Sequence, residues 1–463
     1  MLLENSCMQE TIVAVSSPPG RSPRGLVRIS GPGARAVFHA LLHKPSSAEA
    51  LQDRTLVRVE LADPRVPALA CCFASPGSYT GQDLFELQTP GHPQLLERLL
   101  HRAMACGARL AEPGEFTFRG FLSGRFDLTE AEGIAASIAA VSDSQLEAAR
   151  LLRQGALGSL ACGLVDDLGT QLALVEAGID FVDEEDVTPI GPAALCDAVQ
   201  RVAEAVSSLL ERSRSWGVLE ALPRVVLAGA PSTGKSTLFN ALLGRQRAVI
   251  DAVAGTTRDV LAEPITLQGM RGQPVEAMLV DIAGLDRPTA DLDVQVQQAA
   301  HSAIEQADVL VIVHDATRPD HQPAPAIEAP RAAKVHVLGK ANLAEPSPTA
   351  DADDRLAVSG LTGRGLDALR EAIARALGDR AVSVRSEMLA LQPRHEQALQ
   401  ASLVVLQRCV DLLAPQQSGR TIQQAELVAT HLRAALDELA GLGGQLSPDD
   451  VIGRIFATFC IGK

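Results

Sequence analysis

The sequence predicts a multidomain α+β and α/β chain in which a helical domain is interrupted by an inserted α/β domain. Three observations predict it. Short β-type runs punctuated by Gly and Pro fill residues 11–122; from Leu128 to Leu219 apolar residues recur at helical spacing; and residues 224–377 alternate strand and helix before helical texture returns near Ser386. At about 150 residues per domain, 463 residues imply about three domains. The expected boundaries are an N-terminal domain at 1–122, a helical domain in two parts at 123–220 and 381–463, and the α/β domain at 221–380.

In the N-terminal part the strand candidates are Thr11–Val15, Gly25–Ser30, Thr55–Leu61 and Leu84–Gln88, with a helix over Pro93–Cys106. Pro18-Pro19-Gly20, Pro76-Gly77-Ser78 and Pro113-Gly114-Glu115 supply the breaks between them. Ile134, Ile138 and Val141, then Leu146, Ala149 and Leu152, mark the apolar face of amphipathic helix. The α/β strand candidates are Arg224–Gly229, Ala277–Asp281, Val309–His314, Lys334–Leu338 and Leu356–Ser359, and their alternation with helices favours a mostly parallel sheet covered on both faces. The last helix has a cap in Ser447, a first-turn Pro448, and Asp449 and Asp450 at its positive end.

Composition narrows the function. The chain is 46% hydrophobic and 21% charged, with no run near the ~18 uninterrupted apolar residues of a membrane span. Its first ten residues carry Glu4 and Glu10 and neither Lys nor Arg, unlike a secretory signal; Met1 and Met8 are both available as starts. These features predict a cytoplasmic protein with no membrane association. A net charge of −15 argues against coating nucleic acid non-specifically, while leaving room for a local basic patch. Cys7, Cys71, Cys72, Cys106, Cys162, Cys196, Cys409 and Cys460 form no CxxC pair and read as free thiols of a reducing compartment. Thirteen aromatic residues are too few for single-strand base-stacking platforms.

Gly229-Ala230-Pro231-Ser232-Thr233-Gly234-Lys235-Ser236 fits G-x-x-x-x-G-K-[ST] and lies between an apolar strand and a helical run. In that context the backbone N–H groups turn onto phosphate oxygens at a positive helix end. Lys235 would reach the β- and γ-phosphates, and the Ser236 hydroxyl would ligate Mg²⁺. Gly255-Thr256-Thr257-Arg258-Asp259 follows where a loop hydroxyl completes the Mg²⁺ shell, and Asp281-Ile282-Ala283-Gly284 ends a buried strand where a Gly N–H senses the γ-phosphate. Loops of this kind are ordered by γ-phosphate and Mg²⁺ and relax on hydrolysis.

Further motifs carry a family resemblance. They are Thr11-Ile12-Val13-Ala14, Pro18-Pro19-Gly20-Arg21, Arg28-Ile29-Ser30-Gly31, Tyr79-Thr80-Gly81-Gln82-Asp83, Glu86-Leu87-Gln88, Pro113-Gly114-Glu115-Phe116, Asp127-Leu128-Thr129-Glu130-Ala131-Glu132, Ile179-Asp180-Phe181 and the terminal Phe459-Cys460-Ile461-Gly462-Lys463. Over nearly its whole length the chain resembles the MnmE/TrmE family of tRNA modification GTPases. The resemblance implies a folate-binding N-terminal domain that also dimerises, a discontinuous helical domain and an inserted Ras-like P-loop GTPase domain. It implies a homodimer that joins an MnmG-like flavoprotein carrying FAD in a heterotetramer and modifies carbon 5 of the wobble uridine of tRNA. The one-carbon donor would be 5-formyl- or 5,10-methylene-tetrahydrofolate, and GTP hydrolysis would need Mg²⁺ and K⁺, the K⁺ standing in for an arginine finger.

Carried over by residue, the folate contacts are Arg28, Glu86, Arg125 and Lys463, with Arg125 where the family often has Lys. The implied catalytic set is Lys235, Thr257 and Asp293; Mg²⁺ falls to Ser236 and Thr257, and K⁺ to Ser232, Asp251, Val253 and Thr256. The nucleotide-binding set is Ser232, Thr233, Gly234, Lys235, Ser236 and Thr237; Asp251, Ala252, Val253, Ala254, Gly255, Thr256 and Thr257; Asp281, Ile282, Ala283 and Gly284; Gly339, Lys340, Ala341 and Asn342; and Ser359, Gly360 and Leu361. Cys460 is either a reactive thiol or a buried one.

The departures fall in the GTPase domain. Gly339-Lys340-Ala341-Asn342 keeps only the lysine of the guanine-reading N-K-x-D. A carboxylate accepts both N–H bonds of guanine; an Asn amide sets a donor against one of them, an unmatched pair that costs about 1–3 kcal/mol. Asn342 therefore suits a base with a carbonyl at position 2, such as xanthine, better than Asp does. Ser232 replaces an Asn that helps hold K⁺, Ile282 replaces a Thr, and Asp293 stands near where the family places a Glu that helps position the attacking water. Two readings stay open: a working GTPase with relaxed nucleotide use, and a non-hydrolysing folate- and tRNA-binding scaffold with a degenerate nucleotide domain. A ribosome-assembly GTPase is disfavoured by the acidic balance.

Overall fold

The computed structural model describes residues 8–44, 51–180, 190–230, 232–244, 261–269, 274–282, 301–317, 332–343, 355–378, 382–383, 389–444 and 462. These fall into two compact units: residues 1–139, 148–213 and 393–463 make the first, and residues 140–147 and 214–392 the second.

The first unit opens with β1 (Ile12–Val15), β2 (Ser22–Ser30), α1 (Ala34–Leu41), β3 (Leu56–Glu60), β4 (Pro67–Phe73), β5 (Leu84–Gly91), α2 (Pro93–Ala105), β6 (Arg109–Leu110) and α3 (Glu115–Leu122). Its six strands form one sheet in the order β3-β4-β5-β2-β1-β6, antiparallel except for the β1–β6 pair. Alternation decides which face is buried. Val27, Ile29, Ala68, Ala70, Phe85 and Leu87 point to one side and pack with Phe38 and Leu41 of α1 and Leu95, Leu96 and Leu99 of α2. Glu86 and its cross-strand neighbours on either side, Arg28 and Cys71, stay half-exposed on the other side.

Helices α4 (Leu128–Ala139), α5 (Asp143–Arg153), α6 (Ala156–Asp180) and α7 (Pro192–Arg212) follow. Two helices occupy the first periodic stretch, and its face is only partly core. Ala149 and Leu152 are buried, whereas Ile138, Val141 and Leu146 are exposed.

The second unit holds β7 (Arg214–Ser215), α8 (Trp216–Glu220), β8 (Arg224–Ala228), α9 (Lys235–Leu243), β9 (Leu261–Gln268), β10 (Pro274–Asp281), β11 (Val309–Asp315), β12 (Ala333–Gly339), β13 (Leu356–Ala357), α10 (Leu366–Leu377), β14 (Val382–Ser383) and β15 (Ala390–Leu391). β13-β12-β11-β8-β10 run parallel; β9 and β14 add to β10 antiparallel. Strand residues are apolar on both faces, as parallel sheets covered on both sides require. Val225, Leu227 and Val311 pack with Leu238 of α9 and Leu369 of α10, while Val226, Leu310 and Ile312 pack with Ala303 and Ile304. Residues 140–147 dock within this unit: the Ser144 N–H donates to Glu276 Oε1 at 2.9 Å, and Gln145 Nε2 donates to the Leu219 carbonyl at 2.9 Å.

The chain then returns to the first unit with α11 (Pro393–Leu413) and α12 (Ala425–Leu442). By length and apolarity alone α11 would pass for a membrane span. It packs instead on α7 and α12, burying Leu399, Leu406, Cys409 and Leu413, and α12 packs in turn on α6. At its start Arg394 and His395 both bond the buried Glu132 of α4. The helix expected after Ser447 lies outside the described residues.

Candidate functional sites: a phosphate loop and an arginine-lined cleft

In the second unit, β8 leads into the glycine loop and α9 leaves it. Gly234 takes a left-handed φ of +96° at the helix cap, a conformation that favours glycine. Lys235 is buried, and its Nζ donates to the carbonyls of Gly229 and Ala230, both at 3.0 Å. Thr233 Oγ1 donates to the Ala230 carbonyl at 2.9 Å, so both side chains pin the loop. Ser232, Ser236 and Thr237 are exposed. Asp281 ends β10 opposite Leu227 of β8, at the sheet edge from which the loop emerges, and Ile282 is buried among Val226, Val280 and Leu310. The exposed Ser236 hydroxyl and the Asp281 carboxylate are hard oxygen donors of the kind Mg²⁺ takes.

The segment proposed to read the base sits on this loop. Gly339 ends β12 so close to the Thr233 carbonyl that a Cβ on it would stand 2.8 Å away. The Asn of the usual motif would not fit there without displacement. Lys340 Nζ pairs with Asp315 Oδ2 at 2.8 Å. Burial works against the Asp315 charge, but hydrogen bonds from Lys340 and Thr317 outweigh it and hold the carboxyl at about 2. Asp315 was not among the sequence candidates; the only signal for it was an acid closing an apolar strand. Asn342 Oδ1 accepts the Ser359 hydroxyl at 2.9 Å, and a Cβ on Gly360 would meet the Thr237 carbonyl at 2.9 Å. P-loop, Lys340–Asn342 and Ser359–Leu361 are thus brought together. Asp251, Ala252, Val253, Ala254, Gly255, Thr256, Thr257, Ala283, Gly284 and Asp293 lie outside the described residues.

The first unit holds an open cleft of about 490 Å³ that gathers three predicted folate residues, Arg28, Glu86 and Arg125. Arg28 on β2 faces Glu86 on β5, Nε to Oε1 at 2.7 Å. Among the described residues the Arg125 guanidinium has no ionic partner. Sequence reasoning missed the other side chains that line it, among them Arg54, Phe73, Tyr79, Leu84, Ile134 and Ile138. Burial pushes the Tyr79 phenol up, against a hydrogen bond with Thr117 at 2.8 Å that lowers it. Cations, one carboxylate and a ring-lined apolar wall suit a flat heteroaromatic ligand with an anionic tail. Gly462 lies near this sheet face: its carbonyl accepts the Ser16 hydroxyl at 2.7 Å, and Ala14, two residues back on β1, is the register partner of Arg28. Lys463 and Cys460 lie outside the described residues. The six described cysteines are unpaired.

A glycine loop between a parallel strand and a helix, with a lysine-bearing loop resting on it, defines a P-loop nucleotide-binding protein. The cleft belongs to a separate unit of the same chain, and the comparisons with known proteins cover both. The MnmE helical domain matches residues 128–460 and the N-terminus of the GTP-binding protein TrmE matches residues 11–125. The tRNA modification GTPase MnmE of Methylibium petroleiphilum is 37% identical over 98% of each chain, and that of Azoarcus sp. 35% identical over 98% of each. The Geobacter sulfurreducens MnmE is 34% identical over 98% of this chain and 100% of its own. The chain belongs to the MnmE family of tRNA modification GTPases.

Proposed function

We propose that the chain is a K⁺-dependent GTP-hydrolysing enzyme of wobble-uridine C5 modification, with weakened guanine specificity. It takes a tetrahydrofolate one-carbon donor and works in the cytoplasm as a homodimer with an MnmG-like flavoprotein. The observation that carries this reading is one chain holding both a lysine-bearing P-loop and a cleft where Arg28, Glu86 and Arg125 converge.

In this reading Lys235 leaves the Gly229 and Ala230 carbonyls for the β- and γ-phosphates, while Ser236 and Thr257 hold Mg²⁺ and Asp281 stands behind them. Ser232, Asp251, Val253 and Thr256 hold K⁺, and Asp293 orients the attacking water. Bound Mg²⁺ and K⁺ supply neutralisation of the charge that develops on the transferred phosphoryl group. On the folate side, Glu86 accepts from ring N–H groups, and Arg28, Arg125 and Lys463 hold the tail carboxylates.

Two assays test this. GTP turnover in KCl against NaCl should rise at least several-fold with K⁺, and 5-formyl-tetrahydrofolate should bind stoichiometrically. Nucleotide binding without turnover in either salt would favour the scaffold reading, which the Gly339 and Asn342 departures support.

A further inference from the structure

We infer that His314 and His336 form a binding site for a divalent late transition ion, such as Ni²⁺ or Zn²⁺, distinct in chemistry from the Mg²⁺ and K⁺ proposed at the nucleotide loop. His314 lies on β11 and His336 on β12, neighbouring parallel strands paired Ile312 to His336 and His314 to Leu338. Alternation puts both on the face that carries Leu310 and Ile312. There His314 Nε2 and His336 Nδ1 stand 3.2 Å apart, with the rings 20° from parallel. Both residues are half-buried, which leaves access from solvent.

The separation is what a shared ion needs. Zn²⁺ takes imidazole nitrogens at about 2.0–2.1 Å, which sets two ligand nitrogens about 2.9 Å apart at a right angle and about 3.3 Å apart in a tetrahedron. The observed gap falls between these values. In the hydrogen-bonded pair one N–H proton bridges the two nitrogens. An ion takes that proton's place, the donating ring changing tautomer so that both rings stay neutral. Strand pairing fixes both backbones in advance, which lowers the cost of bringing the ligands together. Imidazole suits Zn²⁺, Ni²⁺ and Cu²⁺, whereas Mg²⁺ keeps to oxygen. Among the described residues no third His, Cys, Asp or Glu joins the pair. Water fills the remaining positions, so the ion is exchangeable rather than structural. The site ties together the strands that end in Asp315 and Gly339, directly before the Lys340–Asp315 pair.

The test is calorimetric titration of the untagged full chain with NiCl₂, after alkylation of the exposed Cys106 and Cys162 to remove competing thiols. Wild type should bind one equivalent of Ni²⁺ at micromolar concentration, and excess Mg²⁺ should not displace it. His314→Gln and His336→Gln should each weaken that binding at least about tenfold, since even groups that only orient a metal ligand are worth roughly 10–100-fold. His101→Gln, at an exposed histidine of α2, should leave it unchanged. Protection from diethyl pyrocarbonate, read on wild type by peptide mass spectrometry, does not depend on how the variants fold: Ni²⁺ should shield His314 and His336 and not His101. Absence of the micromolar equivalent, unchanged affinity in either single variant, or unshielded His314 and His336 in Ni²⁺-bound wild type overturns the inference.

Discussion

Arg28 and Glu86 stand opposite each other across β2 and β5, and their side chains close a 2.7 Å ion pair on the cleft face of the sheet. Arg125 reaches the same cleft from the turn that follows α3 and is not tied to any described acid. Removing the two arginines should therefore have different consequences. Arg125→Ala should leave the melting temperature nearly unchanged, as substitutions of unpaired surface groups do. It should weaken 5-formyl-tetrahydrofolate binding about 10-fold or more, the worth of a charged hydrogen bond. Arg28→Ala strips Glu86 of its partner and should lower both binding and stability. Calorimetric titration with parallel melts separates the two; unchanged folate binding in Arg125→Ala would remove it from the site.

Glu115 anchors the start of α3. Arg109 grips it with two bonds at 2.7 Å, Arg119 adds bonds at 2.8 and 3.2 Å, and the Glu112 N–H a fifth at 2.9 Å. Burial raises its pKa, but the Arg109, Glu112 and Arg119 bonds outweigh burial and hold it at about 2. The folded pKa lies below the unfolded value of about 4.3, so the stabilisation is complete above that pH and is lost as pH falls toward 2. Glu115→Gln should cost about 3–5 kcal/mol at pH 7 by leaving buried Arg119 uncompensated. In urea melts the gap between wild type and Glu115→Gln should narrow from pH 4.5 downward; a gap independent of pH would show that Glu115 is not held ionised.

Cysteine reactivity should follow burial. Burial, with neighbouring Cys196 adding to it, pushes the Cys409 thiol up to about 12, and both are enclosed between α7 and α11. Cys106 and Cys162 are exposed. Iodoacetamide at pH 8 should label Cys106 and Cys162 in the native protein and Cys196 and Cys409 only after unfolding, as the thiolate is the nucleophile. Peptide mass spectrometry reads each site; rapid native labelling of Cys409 would contradict the packing of this bundle.

What the sequence disclosed was what is local along it. The P-loop was legible because its glycines, lysine and flanking strand and helix are contiguous. β9 was not, because Pro264 interrupts its run; among the described residues β9 pairs only with β10, and an edge strand tolerates proline. β4 was missed because Ala68, Ala70, Cys71 and Cys72 alternate too weakly in hydrophobicity to mark a face. Ile134 and Ile138 have the period of a core stripe, yet they line the cleft, and periodicity cannot say what an apolar face covers. The Asp315–Lys340 pair and the Ser359–Asn342 bond join residues on different strands and loops, which spacing does not encode.

Base recognition turns on Asn342. Equilibrium titration of wild type and Asn342→Asp with fluorescent GDP, competed by XDP and ADP, tests it most directly. Wild type should bind GDP weakly and Asn342→Asp at least about tenfold more tightly, the second guanine N–H then having an acceptor. Tight GDP binding that Asn342→Asp leaves unchanged would contradict it.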